Sequence, residues 1–289
     1  MWRYALKESG RWALAVLGAL LTAAAVSALS VPGAVAGAGA YAIAFGGRLL
    51  AFLALDFGAS AISGDSVAQE LAAHGPMTAD LVGFGTVIAI LLGVPLGLAL
   101  GTGPFRRATA PLIQIVSAAP VFCAGLALAY AARHLFGWYQ GVAESAPAHL
   151  DVAALRAVLL PALTVGLAGT AAIQVALRRA ASEAQDNPFR TGLRRLGLTA
   201  LEIERVYVAP RVFAGLLSSL GEVMLALLSA AVVSEWVFQC RGIADLFVKS
   251  LALHDWNMAA AILLVFAAAT STAEFAGRLG ACLLTRSSS

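Results

Sequence analysis

The sequence predicts an all-α, polytopic membrane protein with six transmembrane helices. Of its 289 residues, 60% are hydrophobic and only 12% are charged, whereas about a quarter of the residues in a soluble domain carry a charge. The mean hydropathy is +0.85. Apolar segments of roughly 20 residues, enough to cross a bilayer as a helix, alternate with shorter polar segments.

The chain begins with a short basic stretch, residues 1–11, which precedes the first apolar run at 12–31. Ala34-Val35-Ala36 is similar to a signal-peptide cleavage site, so removal of this run is one interpretation. The other is a first transmembrane helix, which we favour because the topology below requires a cytoplasmic N-terminus. The sequence leaves open whether this helix is retained or cleaved.

Residues 32–78 are predicted to form an extracytoplasmic segment, because they are rich in Gly and Ala and carry several acidic residues. Leu49–Leu55 is apolar but too short to span a bilayer, which predicts an interfacial helix. Turns are predicted at Gly46-Gly47, Gly64-Asp65 and Gly75-Pro76.

Residues 79–282 are predicted to form a five-helix core, and 283–289 a cytoplasmic tail. The five further spans are expected at 79–100, 111–131, 156–177, 212–238 and 258–279. The first of these contains Gly93-x3-Gly97-x3-Gly101, a small-residue pattern that allows close approach of helix backbones.

Six spans place both chain termini on the same side of the membrane. Most Arg and Lys residues fall on that side, including Arg106, Arg107 and seven arginines within 178–211. Because basic residues concentrate in cytoplasmic loops, we predict that both termini and segment 178–211 are cytoplasmic, in a multi-pass protein of the cell inner membrane.

Segment 178–211 is the one sizeable polar stretch in the second half of the chain. Asn187-Pro188 interrupts a helix, Gly197 ends a short one, and Thr199-x-x-Glu202 is a capping box that begins another. This order predicts a protruding short helix, which is typical of a docking point for a cytoplasmic partner.

Several chemistries are absent from the sequence. It contains no P-loop, no H-E-x-x-H zinc motif and no G-x-S-x-G elbow, so neither an enzyme nor a metal site is expected. The net charge of +3 is too small to indicate nucleic-acid binding. Cys123, Cys240 and Cys282 form no disulfide pattern.

Polar groups follow one face of the predicted fifth span, at Ser218, Glu222 and Ser229. Glu274 and Thr270 make a similar face on the sixth. Ionisable groups in spans usually face a bundle interior or cavity. One interpretation is that these faces line a solute path; the other is that they form hydrogen bonds between helices or to a partner subunit. Proton coupling through Glu222 or Glu274 would make the protein a secondary transporter, although the chain shows no inverted repeat.

Three motifs resemble one known family. The first is Asp56-Phe57-Gly58-Ala59-Ser60, before the second span. The second lies in segment 178–211, where the matching residues are Glu183, Phe189, Gly197-Leu198 and Pro210. The third follows the fifth span and comprises Glu235, Phe238, Gly242 and Asp255.

Together with the spacing of the spans, these motifs resemble the permease subunits of binding-protein-dependent ABC importers, in the dipeptide, oligopeptide and nickel branch. The likeness extends from about Leu49 to the C-terminus. The chain departs from the family pattern at Pro188, Leu193, Tyr207 and Ala244.

The resemblance implies a type I importer permease fold and a set of partners. These are a second homologous permease subunit, two cytoplasmic ATPase subunits that bind ATP and Mg, an extracytoplasmic solute-binding protein and the lipid bilayer. The chain itself would need no cofactor and would bind no nucleic acid. The identity of the solute stays open among a peptide, a nickel chelate, an opine and a sugar-like compound. Whether the two permease subunits are identical also stays open.

The resemblance also assigns a coupling helix to Phe189–Leu196. Phe189 would be its aromatic anchor in the ATPase groove, with Arg190, Arg194 and Arg195 around it. The other implied coupling residues are Glu183, Leu193 and Gly197.

Overall fold

The structure is a computed structural model that describes residues 2–102, 121–135 and 152–287. Within these ranges all regular structure is helical, apart from one isolated antiparallel bridge between Ala59 and Ser66. The predicted all-α class is therefore confirmed. The helices are α1 (Trp2–Ala28), α2 (Ala38–Leu53), α3 (Val67–Thr102), α4 (Val121–Leu135), α5 (Val152–Asp186), α6 (Pro188–Arg195), α7 (Ala200–Ile203), α8 (Ala209–Ser218), α9 (Leu220–Phe238), α10 (Ile243–Ala252) and α11 (Trp256–Ser287).

Five of the described helices are long and apolar enough to cross a membrane. Their spanning parts are Tyr4–Ala28, Val67–Leu98, Val158–Gln185, Leu220–Phe238 and Trp256–Thr285. The first part of the expected 111–131 span, together with Arg106 and Arg107, lies outside the described residues. The sixth span and the cytoplasmic termini therefore stay predictions.

Two of the three predicted turns were wrong. Gly46-Gly47 lies inside α2, and Gly75-Pro76 lies inside α3. Proline is tolerated within membrane helices because neighbouring groups compensate for the lost backbone hydrogen bond. The third turn lies directly before the predicted pair, over residues 61–63 with a bend at Asp65, and Gly64 has φ +76°. The interfacial helix is also longer than Leu49–Leu55, because α2 begins at Ala38.

Helices α3 and α5 form the most extensive helix pair in the described chain. Glycines line their contact: a Cβ atom on Gly93 would lie 3.0 Å from Ile173, and one on Gly97 only 2.5 Å from Leu177. Likewise, a Cβ atom on Gly166 of α5 would come too close to the side chain of Ile88 in α3. The small-residue pattern predicted from the sequence is thus the contact surface of two close-packed spans.

Helix α1 packs against α11, and polar side chains join the pair near both ends. Glu8 is buried and accepts from Arg278 Nη1 at 3.3 Å. At the opposite end, Ser27 Oγ donates to Asn257 Oδ1 at 2.8 Å. Buried polar groups such as these need partners, so the contacts set the register of α1 on α11.

The predicted fifth span, 212–238, is not one uninterrupted helix. It breaks at Ser219, which separates α8 from α9. The hydroxyls of Ser218 and Ser219 bond back to the carbonyls of Ala214 and Gly215, an arrangement that competes with regular helix hydrogen bonding.

Candidate functional site

A short helix lies between two spans, as the sequence of segment 178–211 predicts. Helix α5 continues through Arg178 to Asp186, so the first part of that segment is helical rather than a loop. Asn187 then adopts an extended conformation, and its side chain accepts from the N–H of Phe189 at 3.0 Å. Pro188 occupies the first turn of α6, where a missing N–H costs nothing. This departure from the family pattern therefore suits a helix start.

The end of α6 also follows the predicted order. Gly197 has φ +89°, a left-handed conformation that favours glycine. Thr199 then begins α7, and its hydroxyl and backbone both bond with Glu202 in a complete capping box. These hydrogen bonds from Thr199 lower the pKa of the Glu202 carboxyl.

Phe189 presents an aromatic ring on the surface of this region. It is 58% exposed and lies 5.2 Å, centroid to centroid, from the ring of Tyr207. Tyr207 is buried, and the Arg211 guanidinium lies 4.1 Å from its ring centroid. A groove of about 370 Å³ runs beside these rings and includes Leu193 and Leu198. The buried ring of Tyr207 thus packs against the exposed ring of Phe189.

The remaining predicted coupling residues have different surroundings. Arg190 pairs with Glu204 at 3.1 Å, which ties α6 to the π-helical segment Glu204–Val208 between α7 and α8. Leu193 packs toward the main apolar core. Arg194 is exposed in the last turn of α6, and Glu183 is exposed near the end of α5. Phe189 and Arg194 are therefore directed outward, whereas Leu193 and Arg190 hold the helix in place.

The third sequence motif forms a buried cluster at the end of the bundle that carries α10, which we call the outer end. The Glu235 side chain is fully buried. It accepts from Thr78 Oγ1 at 2.5 Å and from the N–H of Asp245 at 2.8 Å. Thr78 in turn accepts from the N–H of Ile243 at 2.9 Å. Side chains of α9 and α3 thus cap the first turn of α10, whose own N-cap, Gly242, offers no side chain.

Gly242 and Phe238 fit around this carboxylate. A Cβ atom on Gly242 would overlap the carboxyl group of Glu235, which explains the glycine in steric terms. Phe238 is buried in an apolar cluster with Met77, Leu81 and Cys240. Burial also raises the pKa of the Cys240 thiol to about 12.

Asp255, the last residue of the motif, meets the first motif. It is fully buried, accepts from Ser60 Oγ at 2.5 Å and from the N–H of Ala61 at 2.9 Å, and caps α11 at Met258. Motifs from opposite ends of the sequence are therefore one structural unit.

Asn257 extends this unit to α1 and α2. Its Oδ1 accepts from Ser27 and Ser30, and its Nδ2 donates to the carbonyl of Ala59 at 3.0 Å. Arg48 Nη2 donates to Ser30 Oγ at 2.9 Å. The outer end is thus closed by a network of satisfied polar groups that joins α1, α2 and α11.

The predicted path residues lie on two helices, α8 and α9. Ser218 is in α8, on the other side of the break from Glu222 and Ser229 of α9. Glu222 is largely exposed and lies 3.4 Å from Arg179, and Glu274 pairs with Arg278 one turn away in α11. No group of three or more potential metal ligands occurs within the described ranges.

Sequence reasoning missed Thr78, Asn257 and the role of Tyr207. Thr78 is the last residue of the predicted extracytoplasmic segment, where a threonine is common, so it carries no signal of its own. Asn257 directly precedes the predicted 258–279 span, and an amide is common at such a boundary. The partner lies 230 positions away in the case of Ser27, so no local pattern reveals the pair.

Residues 85–279 match the family of binding-protein-dependent transport system inner membrane components. The chain belongs to this family. This membership, with the five spanning helices, makes it a multi-pass inner-membrane permease component, as predicted.

The permease is similar to two proteins called SapB. It is 23% identical to the peptide transport system permease protein SapB of Salmonella typhimurium over 227 residues, which are 70% of this chain and 71% of the relative. It is also 23% identical to the putrescine export system permease protein SapB of Escherichia coli K12 over 228 residues, with the same shares covered.

A solved structure of an amino acid ABC transporter with histidines has the same fold. Its likeness covers 76% of this chain and 92% of that chain, with a TM-score of 0.51 and 19% sequence identity. These findings support the permease prediction and offer no support for the alternative of an ion-coupled secondary transporter.

Proposed function

We propose that this permease forms the translocation path for a peptide or a related small solute, and that cytoplasmic ATPase subunits drive it through α6. The observation that carries the proposal is the geometry of α6. An eight-residue helix is capped at its start by Asn187, ends before a left-handed Gly197, and presents Phe189 outward.

The surroundings of α6 suit a helix that transmits force. Arg190 ties it to Glu204, and Leu193 packs on the core that includes spans α3, α5 and α9. A displacement of α6 by a partner would therefore move packed helices rather than a free loop. The exposed aromatic ring is the kind of anchor that dominates protein interfaces.

The partner set follows from this proposal. The chain has no P-loop, so ATP and Mg would be bound by two ATPase subunits. A second homologous permease subunit would complete the path, and a solute-binding protein would deliver the solute at the outer end. Import is part of the proposal, since one relative is named for export and the other for peptide transport.

The proposal is tested by co-expression of the permease with candidate ABC ATPase subunits from the same genome, followed by co-purification. Phe189→Ala should lower ATPase recovery and ATP-driven transport, because it removes the exposed anchor. Leu284→Ala is a matched control: Leu284 is an exposed apolar residue of α11. Normal assembly and transport by the Phe189→Ala protein would overturn the assignment of α6.

The direction of transport needs its own measurement. Inside-out and right-side-out vesicles, each supplied with ATP on the ATPase side, distinguish uptake from release. Accumulation driven by a proton gradient without ATP would contradict an ATP-driven permease.

A further inference from the structure

A cleft of about 720 Å³ lies among α3, α9 and α11, at the depth of the spanning segments. Its walls include Ala79 and Thr86 of α3, Met224 and Leu228 of α9, and Phe266 of α11. Ligand pockets typically have volumes of about 300–1,000 Å³ and mostly apolar walls. The cleft has the size and lining of such a pocket.

No charged side chain is found among the described residues that line the cleft. Its two hydroxyl groups already have partners. Thr86 Oγ1 donates to the Val82 carbonyl at 2.7 Å, and Thr78 Oγ1 belongs to the Glu235 cluster. A charged group that entered would lose hydration without gaining a counter-ion from these described side chains, which is strongly unfavourable. Apolar groups are therefore the ones that the cleft accepts.

The cleft is connected to the outer end through two of its own residues. Thr78 and Ile243 line it, and they are joined to each other by the 2.9 Å hydrogen bond at the start of α10. The cleft therefore extends from the capped turn of α10 toward the middle of the spans. Ser218, Glu222 and Ser229, the polar residues expected on the path, do not line it.

We propose that this cleft binds the apolar side chains of a transported peptide, and that it discriminates against cationic solutes. The inference rests on the proposed function, and it adds the chemical class of the solute. The connection to the outer end favours a solute that arrives from that side over a lipid chain.

The test uses the complete transporter, with the three native cysteines replaced by alanine. Ala79→Cys places a thiol in the cleft. Ala73→Cys is the control, because Ala73 is an exposed alanine of α3 that does not line the cleft. Labelling by N-ethylmaleimide is followed with tri-leucine, tri-lysine or putrescine present. Tri-leucine should protect the Ala79→Cys thiol and leave the Ala73→Cys thiol unprotected.

Three results would overturn the inference. Equal protection by tri-lysine or putrescine would remove the discrimination against charge. Absence of protection by tri-leucine would show that lipid or nothing occupies the cleft. A thiol at position 79 that reacts in the isolated subunit but not in the solute-free transporter would show that the second permease covers it.

Transport separates this inference from the proposed function. Ala79→Phe should reduce ATP-driven uptake of tri-leucine while Ala73→Phe does not, because both add the same volume but only one fills the cleft. If uptake is ATP-driven yet insensitive to Ala79→Phe, the cleft assignment alone fails. If the chain neither assembles with ATPase subunits nor transports with ATP, the proposed function fails.

Discussion

Ser60 Oγ donates a 2.5 Å hydrogen bond to Asp255 Oδ2, although the two residues are 195 positions apart in the chain. Both side chains are buried. The same carboxylate accepts from the N–H groups of Ala61 and Met258. Asp255 therefore holds the segment before α3 against the start of α11.

Removal of this carboxylate should loosen the outer end. Asp255→Ala leaves three donors without an acceptor, on the buried residues Ser60 and Met258 and on the exposed Ala61. An unsatisfied buried group costs about 1–3 kcal/mol. Ser60→Ala removes one donor to Asp255, together with the part-buried acceptor of the Ile62 and Ser63 N–H groups, and should cost less. Thermal unfolding of the detergent-solubilised protein measures both losses, and the double variant reports their coupling.

Asp65→Ala is the matched control for this cycle, because Asp65 is an exposed aspartate of the same segment. It should leave the unfolding temperature nearly unchanged. Strict additivity of Ser60→Ala and Asp255→Ala would contradict a direct interaction.

Gly242 and Glu235 should also be coupled, but through steric overlap rather than through a hydrogen bond. Gly242→Ala places a Cβ atom against the buried carboxylate, so the α9–α10 turn must move and the protein should lose stability. Glu235→Ala is also destabilising, because it removes the acceptor of both the Asp245 N–H and the Thr78 hydroxyl. The double variant should be more stable than the sum predicts, because the overlap disappears with the carboxyl group.

This prediction is tested by measuring the unfolding temperatures of the two single variants and of the double variant. A double variant that is as unstable as the sum, or worse, would show that Gly242 is required for a reason other than space for Glu235.

Gly197 and Gly192 form a natural pair for testing the end of α6. Neither would bring a Cβ atom within 4 Å of another residue, but only Gly197 has a positive φ, at +89°. Gly197→Val should therefore strain the backbone by about 1–2 kcal/mol, whereas Gly192→Ala should be neutral or slightly stabilising within the helix. Gly197→Asn should retain most function, because asparagine tolerates this conformation.

ATPase recovery and ATP-driven transport are the measurements for these glycine variants. Equal defects for Gly197→Val and Gly197→Asn would indicate that the loss of glycine itself, rather than the backbone conformation, is responsible.

The Cys240 thiol should be unreactive in the folded protein. Burial raises its pKa to about 12, so the thiol stays protonated at pH 9, where an ordinary cysteine, with a pKa of about 8.5, is mostly thiolate. In a Cys123→Ala, Cys282→Ala background, N-ethylmaleimide should not label the protein between pH 7 and pH 9 (a range chosen to bracket that ordinary value), and labelling should appear after denaturation.

A positive control moves the thiol by one position. Cys240→Ala combined with Arg241→Cys exposes it at the surface, and labelling should then rise with pH in the ordinary way. Rapid labelling of Cys240 in the folded chain would show that the cluster around Glu235 opens to solvent.

The parts of the fold that depend on local chemistry were predictable. Apolar length located the spans, Asn187-Pro188 located the start of α6, and Gly197 with Thr199 located its end. Each of these signals acts within one or two turns of the chain. The predicted turn at Gly75-Pro76 was wrong. The hydrogen bond that a proline removes from a membrane helix is compensated by neighbouring groups, and the local sequence does not contain them.

The sequence by itself determined the membrane character of the chain, most of its spans and the capped helix that we assign to coupling, because these follow from hydrophobic length and from hydrogen bonds between near neighbours. Only the tertiary structure decided that Ser60 meets Asp255, that Thr78 and Glu235 cap α10, and that an apolar cleft lies among α3, α9 and α11. These relationships depend on how distant helices pack, and buried polar groups find their partners wherever that packing brings them together.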